Sequence, residues 1–455
     1  MKEAVDKYDS DHSWHPYTQM REYLDGDRLH VVRGEGCWLE DGEGRRYLDG
    51  NASVWTNVHG HADRELDEAL RDQLGRLAHA TMLGLNHEVA ARLAAELAGL
   101  TAGRLSRVFF SDCGAMAVEV AVKLSLQSWQ LSGHGERRRI VAMAHGYHGD
   151  SFGTMALGGA QGFHARFEPW FYPVERMPAP VHVECAGLVG ASDMTASLAW
   201  LDEYLAAHGA ETACLVLEPS VQGAAGMRQQ PPGFVAAVAE RCRGAGVHLI
   251  LDEIFVAFGR LGELLVSEAE GVKADFVCLA KGLTAGYLPL GATLTSERIF
   301  ECFLGAQSEG RTFFHGQTFT GNPLAAAVAL KNIEKLKRPG VLSGMRDRAW
   351  CLGAGLRGAF GDHPNVRGLR QRGFAACLDL GPADRERRWP VDLRAAHRIC
   401  LEARRRGLIL RALGDSIPVV PPPAISAAEL DVLVFTLRDA IDAVAPTFSS
   451  ELIPS

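Results

Sequence analysis

Val247-His248-Leu249-Ile250-Leu251 runs into Asp252-Glu253, and Phe276-Val277-Cys278-Leu279-Ala280 runs into Lys281-Gly282. Runs this short and this apolar, bounded by glycines and charges, read as strands buried on both faces, the habit of a parallel sheet with helices on either side. Ligands in such sheets bind beyond the carboxyl ends of the strands. There a carboxylate and an amine converge on one molecule. Pyridoxal phosphate needs that pair: an amine for its aldehyde, and an acid to keep its ring nitrogen protonated so that the ring withdraws electrons.

Outward from these runs the pattern repeats. Arg107-Val108-Phe109-Phe110 is a predicted strand, followed by the small-residue turn Ser111-Asp112-Cys113-Gly114-Ala115 and an apolar helix through Val118, Val122 and Leu126. A turn of this kind leaves backbone N–H groups free at a helix start, where they bind an anion such as a phosphate. Arg139-Ile140-Val141-Ala142-Met143 leads to Gly146-Tyr147-His148-Gly149-Asp150, in which the flanking glycines let the Tyr147 ring present a flat face to a planar ligand. Leu215-Val216-Leu217 ends at Glu218-Pro219. From 105 to 295 the succession of strand, polar tip and helix predicts a doubly wound α/β domain.

The flanks read differently. Leu29 to Leu48 predicts a hairpin turning at Asp41-Gly42-Glu43-Gly44, and leucines at spacings of three and four from Leu66 to Leu77 and from Leu93 to Leu100 predict helices. Thr312 to Pro323 is rich in hydroxyls and glycine and precedes a helix from Leu324 to Leu336. The composition shifts at Lys337-Arg338-Pro339-Gly340. Beyond it lie a helix from Ser343 to Phe360, a strand from Gly373 to Leu380, a basic helix from Asp392 to Arg406, a strand from Leu408 to Arg411, and a last helix opened by the capping box Ser426-Ala427-Ala428-Glu429. Three segments are expected: 1–60 joining a small domain, 61–336 as the large domain, and 337–455 as the small α+β domain. Arg411, at the end of an apolar strand, suits capture of a carboxylate. Arg404, Arg405 and Arg406 read as a solvated face. His59 and His61 have no Cys or carboxylate cluster beside them and are expected to be structural rather than metal ligands.

The 455 residues, 47% hydrophobic, suffice for a large core split into domains. A formal charge of −8 gives no general attraction to nucleic acid or to an anionic membrane. The charged start and the lack of a run of about 18 apolar residues predict a cytoplasmic protein. The ten cysteines are scattered singly and are expected to be reduced and mostly buried.

These pieces together resemble the class III, fold-type I pyridoxal-phosphate aminotransferases. Leu251-Asp252-Glu253, Phe258-Gly259-Arg260, Ala280-Lys281-Gly282 and Phe319-Thr320-Gly321-Asn322-Pro323 match that family in order and spacing over nearly the whole chain. Trp14-His15-Pro16-Tyr17-Thr18, Val54-Trp55, Gly146 to Asp150, Val221-Gln222-Gly223-Ala224 and His315-Gly316-Gln317-Thr318 are similar to the branch that aminates 8-amino-7-oxononanoate (KAPA) in biotin formation. The resemblance implies a large, mostly parallel sheet domain and a smaller α+β domain built from both chain ends. It implies that Lys281 anchors the cofactor and shuttles protons, that Asp252 pairs with the ring nitrogen, and that Tyr147 stacks on the ring. Gly114, Ala115, Gln317 and Thr318 would bind the cofactor, Thr318 reaching in from the partner of a homodimer. Tyr17, Val54, Trp55, Tyr147, Gly316 and Arg411 would line the substrate site, with Arg411 on the KAPA carboxylate.

Two positions depart from the family pattern. Members that use S-adenosylmethionine as donor often have two tryptophans where this chain has Val54-Trp55, and relatives with Val-Trp resemble users of lysine. Val256-Ala257 and Leu261-Gly262 stand where the family usually has Thr-Gly on either side of Phe-Gly-Arg. The nearest alternative is a class III enzyme acting on another ω-amino acid or diamine. An aminomutase or decarboxylase on the same fold is more distant, and a non-enzymatic binding protein more distant still.

Overall fold

A computed structural model describes residues 2–26, 28–159, 162–185 and 188–454. Its centre is a seven-stranded sheet in the order Arg107–Ser111, Gly291–Thr295, Phe276–Leu279, His248–Asp252, Thr212–Leu217, Arg139–Met143 and Glu175–Met177. Only Gly291–Thr295 opposes its neighbours; the other pairings follow the parallel direction.

Every residue of the three central strands is buried, and their side chains alternate between two cores. Leu215, Leu217, Leu249, Leu251, Val277 and Leu279 belong to the larger core. Val216, Ile250, Phe276 and Cys278 pack instead with Ala117, Val118 and Ala121 of the helix Gly114–Leu131. A one-residue slip would exchange the two sets, and with about 1.5–3 kcal/mol for each large apolar side chain buried, this alternation fixes the register.

The alternation also separates Asp252 from Glu253. Asp252 follows Ile250 toward the helix Gly114–Leu131 and into the cleft. Glu253 turns away, where its carboxylate accepts the backbone N–H groups of Val266 at 2.6 Å and Ser267 at 2.9 Å. Of two adjacent acids, one is left for chemistry and the other ties down a turn.

The ends of the chain differ from expectation in detail. Leu29 to Leu48 forms three strands, Val31–Glu35, Trp38–Asp41 and Arg46–Asp49, because Gly36 adopts φ +57 and allows a second reversal. The strand expected from Leu408 to Arg411 is only Leu408–Ile409, which pairs in parallel with Leu48 and Asp49. The basic helix spans Ala395–Arg405, since Arg394 takes φ +51 and breaks it from the short turn before it. Strand Ala375–Leu380 lies in a five-stranded sheet with Ser416–Val419, Val366–Arg372, Leu188–Asp193 and Val181–Cys185, the last two contributed from the middle of the chain. The capping box holds: Ser426 Oγ accepts from the Glu429 N–H, and the Glu429 carboxylate accepts from the Ser426 N–H at 2.8 Å. Of nine cysteines whose surroundings are described, six are buried and none is in a disulfide. No helix among the described residues is long and apolar enough to cross a membrane.

Candidate active site

A cavity of about 600 Å³ opens at the carboxyl ends of the parallel strands. Lys281, Asp252, Gly114, Ala115, Tyr147 and Trp55 line it together. A second chamber of about 260 Å³, lined by Tyr17, Val54, Phe163 and Arg411, shares Lys281, Trp55, Tyr147 and Ala224 with the first. Two loops 29 positions apart thus meet at one place because their strands are neighbours in the sheet.

Asp252 is 4% exposed. Its Oδ2 accepts a hydrogen bond from His148 Nδ1 at 2.8 Å, and its Oδ1 accepts the Ile254 N–H at 3.1 Å. The imidazole therefore orients the acid, while His148 Nε2 is buried without a hydrogen-bond partner among the described residues. Lys281 lies just beyond its strand with φ +42, a left-handed conformation unfavourable to any residue with a Cβ. Its Nζ makes no hydrogen bond to a described residue and lies 5.1 Å from the Trp55 ring centre and 5.5 Å from that of Phe255. Burial pulls the Lys281 pKa down; Asp252 and Glu218 pull it back up, and Arg260 opposes them. The net direction makes the amine easier to deprotonate than a free lysine, as a nucleophilic lysine requires.

The turn carrying Lys281 is braced from behind. Asn332, fully buried, donates from Nδ2 to the carbonyls of Gly282 and Leu283 at 2.8 and 2.9 Å, and its Oδ1 accepts from His59 Nε2 at 2.8 Å. His61 contacts Asp49 at 3.2 Å, and no metal-binding cluster exists among the described residues. The contacts described for both histidines are hydrogen bonds to Asn332, Asn57 and Asp49.

Glu218 sits beneath the cavity, accepting the Tyr147 N–H on one oxygen and the Gly223 N–H on the other, each at 3.0 Å. Burial pushes its pKa up to about 7, with Asp252 adding to the rise and His148 opposing it. Arg260 is buried too, and desolvation pulls its pKa down to about 9. Its guanidinium donates to the carbonyls of Pro421 at 2.7 Å and Asn57 at 3.1 Å, clamping the Trp55 turn to the C-terminal part of the chain.

That turn is unusual. Ala52, Ser53, Val54 and Trp55 all have positive φ, from +44 to +69, so the chain winds through a left-handed turn without a glycine. Left-handed backbone costs about 1–2 kcal/mol per residue, and a β-branched residue such as Val54 tolerates it poorly. Side-chain ties hold it: Trp55 Nε1 donates to Asn51 Oδ1 at 3.1 Å, and Ser53 Oγ to Asp49 Oδ2 at 2.9 Å.

Opposite Trp55, the Tyr17 hydroxyl donates to the Asp150 carboxylate and lies 3.1 Å from the Tyr147 hydroxyl. The Arg411 guanidinium stands 5.3 Å over the Tyr17 ring and has no acidic partner among the described residues. Burial and the neighbouring Asp150 push the Tyr17 pKa up to about 12, so its hydroxyl stays protonated.

Gly316, Gln317 and Thr318 do not line the cavity of their own chain. Their segment lies along the helix Gly114–Leu131, with His315 stacked on Phe313 and Gln127 Nε2 donating to the Thr312 carbonyl at 3.1 Å. Asp150, His148, His164, Glu218 and Asn332 were not singled out from sequence as site residues, although His148 and Asp150 fall within the quoted stretch around Tyr147.

The donor set fits pyridoxal phosphate. A buried amine faces the same cavity as a buried, oriented carboxylate. The 18-residue helix from Gly114 begins at that cavity with no side-chain cap on its first N–H groups, the arrangement that receives a phosphate.

Residues 23–441 match the family model for class III aminotransferases. The chain belongs to the class III aminotransferases. It is therefore a transaminase, and its cofactor is pyridoxal phosphate. The chain is 42% identical to the adenosylmethionine-8-amino-7-oxononanoate aminotransferase of Geobacter sulfurreducens, over 96% of this chain and 97% of that one. With the enzyme of the same name from Nitratidesulfovibrio vulgaris it shares 43% identity over 96% and 81%. The crystal structure of the Methanocaldococcus jannaschii enzyme of that name superposes with a TM-score of 0.91 at 34% identity, covering 98% of this chain and 100% of that one. A PLP-bound amine transaminase from an uncultivated Pseudomonas species superposes at 0.87 with 31% identity, covering 95% and 99%. The fold is thus the fold-type I architecture expected of such transaminases.

Proposed function

We propose that this aminotransferase converts KAPA to 7,8-diaminononanoate, drawing the amino group from S-adenosylmethionine or lysine. The observation that carries the reading is the second chamber. It leads from Lys281 between the apolar walls of Trp55, Phe163, Leu413 and Pro418 to a guanidinium without an acidic partner among the described residues. A linear acceptor with a ketone near one end and a carboxylate at the other fits such a chamber, the carboxylate against Arg411. The names of the relatives at 42% and 43% identity support the same acceptor.

When bound, pyridoxal phosphate supplies an aldehyde that takes up amines and a ring that draws electrons from the amine-bearing carbon. In this reading the N–H groups of Gly114 and Ala115 hold its phosphate, Tyr147 stacks on its ring, and Asp252, aligned by His148, keeps the ring nitrogen protonated. Lys281 Nζ would take the proton released from the donor's amine-bearing carbon and pass it to the cofactor within the same half of the exchange, and in the second half would carry a proton back from the cofactor to the acceptor carbon. Trp55 and Phe255 flank that amine and exclude water.

Gly316, Gln317 and Thr318 would serve the cleft of a partner chain. Phe314 and Leu83 are 90% and 89% exposed, which supports a homodimer in which a second copy covers them. The donor divides the support. The relatives' names favour S-adenosylmethionine, while Val54, half exposed where a second tryptophan would wall an adenosyl group, favours lysine.

The test incubates purified protein with KAPA and either S-adenosylmethionine or lysine and measures diaminononanoate. Product with one donor is expected, and product with neither sinks the assignment. The second reading, an ω-amino-acid or diamine transaminase, draws support from the superposition on the amine transaminase. It would be favoured by faster turnover of a short ω-amino acid with a keto acid than of KAPA.

A further inference from the structure

The short helix Gly162–Trp170 contributes Phe163 to the wall of the substrate chamber and carries the buried His164 beside it. Phe163 packs edge-on against Tyr17, with ring centres 5.2 Å apart at 89°. His164 is buried and stacks against Tyr147 at 5.9 Å and 22°, while its Nε2 donates to Asp150 Oδ1 at 2.9 Å. One imidazole thus touches both the residue facing the cofactor and the acid at the mouth of the cleft.

Asp150 is the acid in this corner. It lines the larger cavity, and its carboxylate is half exposed. Tyr17 and His164 both donate to Oδ1, which leaves Oδ2 for a third donor. Burial raises the Asp150 pKa, but the hydrogen bonds from Tyr17, His164 and Tyr147 outweigh it and hold the pKa below the usual value. The corner therefore presents a half-exposed carboxylate whose protein donors are phenols and an imidazole. A primary ammonium group matches it, and amine transfer brings one with each donor and a second, retained one beside the ketone of KAPA.

We propose that His164 is a positioning residue: it fixes the Asp150 carboxylate as the anchor for the substrate's ammonium group. The proposal rests on the amine-transfer reading of the cleft. Without His164, Asp150 keeps only the phenols of Tyr17 and Tyr147 on a half-exposed carboxylate, which then swings toward solvent. The grip on the amine then loosens while the reacting atoms, held by Lys281 and Asp252, stay in place. Recognition should suffer and turnover should not.

The experiment uses the cofactor-loaded enzyme and four variants. His164→Phe keeps a ring against Tyr147 but cannot donate. His164→Gln places an N–H near the position of Nε2. Asp150→Asn removes the charge, and the fourth variant combines Asp150→Asn with His164→Phe. KM and kcat are measured for KAPA and for whichever donor the wild type uses, with thermal midpoints and cofactor absorbance recorded alongside.

His164→Phe and Asp150→Asn should each raise KM for the amine roughly tenfold, about 1.4 kcal/mol, with kcat changed less than about threefold. His164→Gln should restore KM to within about twofold of wild type. The double variant should be no worse than Asp150→Asn alone, because two residues acting through one contact are not additive. An unchanged KM in Asp150→Asn would remove the ammonium anchor itself. A raised KM in Asp150→Asn with an unchanged KM in His164→Phe would leave the anchor standing and overturn the role of His164. A His164→Phe enzyme that loses kcat and thermal midpoint but not KM would make His164 a packing residue only. If the wild type transfers no amino group from either donor to KAPA, the functional reading fails and this proposal falls with it.

Discussion

Gly149→Ala tests the link between the Tyr147 loop and the phosphate end of the cleft. Gly149 has φ +123, and a Cβ there would stand 2.3 Å from the Ala115 Cβ, 2.9 Å from its Cα and 3.1 Å from Thr154 Oγ1. Carbon atoms in ordinary contact are about 3.5–4.0 Å apart, so Ala115 or the loop must give by more than about 1 Å. Left-handed backbone adds about 1–2 kcal/mol and overpacking about 1–3 kcal/mol, so the folded state should lose about 2–5 kcal/mol. The functional cost falls on the N–H groups of Gly114 and Ala115. Losing one charge-assisted hydrogen bond to the phosphate costs about 1.5–3 kcal/mol, which weakens cofactor binding by roughly tenfold to a hundredfold. The assay strips the enzyme of cofactor and titrates pyridoxal phosphate back, following tryptophan fluorescence and cofactor absorbance, with a thermal melt of each form. Adding Ala115→Gly removes the 2.3 Å contact and should recover much of the affinity, while the melting temperature stays depressed by the strained φ. Wild-type affinity in Gly149→Ala, or no recovery in the double variant, would refute the idea that these two backbones are packed to their limit around a phosphate.

Asp252→Asn should lower kcat on the order of a hundredfold or more while KM moves only a few-fold, because the acid acts on charge that develops during the reaction; equal turnover would defeat the assignment. Arg411→Met should raise KM for KAPA by roughly tenfold to a hundredfold and leave the donor half-reaction unchanged, and a wild-type KM would move the acceptor's carboxylate elsewhere. Glu218 yields a pH prediction. Its folded pKa of about 7 lies above its ordinary value of 4.5, so the folded chain holds a proton that the unfolded chain gives up. Its contribution to stability is therefore complete below about pH 4.5 and is lost as pH rises through 7, a loss of about 3 kcal/mol. Between pH 5 and 8 the cofactor-free wild type should lose more thermal stability than Glu218→Gln, and parallel curves would count against the raised pKa.

What the sequence made legible follows from how each residue is placed. The strands at 248 and 276 could be read because burial on both faces demands unbroken apolar runs, and their charged tips could be read because nothing buried tolerates them without a purpose. Asp252 and Lys281 are such tips. Asp150 and His148 are small polar residues in a glycine-flanked loop, where no periodicity reveals direction. Asn332 lies on the apolar helix Pro323–Leu336, and its partners are His59 and the carbonyls of Gly282 and Leu283; its spacing gives no hint of a contact 273 positions away. His164 is recognisable only from the fold, since its neighbours Tyr147 and Asp150 sit on a different element. The pairing of Leu188 with Leu369 is equally hidden, because a parallel partner can come from any distance along the chain.

The left-handed turn at 52–55 bears on how this cleft can change over generations. Each residue there must first be acceptable to a backbone of the wrong hand and only then to the ligand beside it. Larger or branched replacements that would narrow the chamber are penalised on both counts, whereas glycine or asparagine relieves the chain as it enlarges the space. Drift at this wall is therefore biased toward roomier pockets, and a narrower appetite for substrates has to be acquired from the opposite side, around Tyr17 and Phe163.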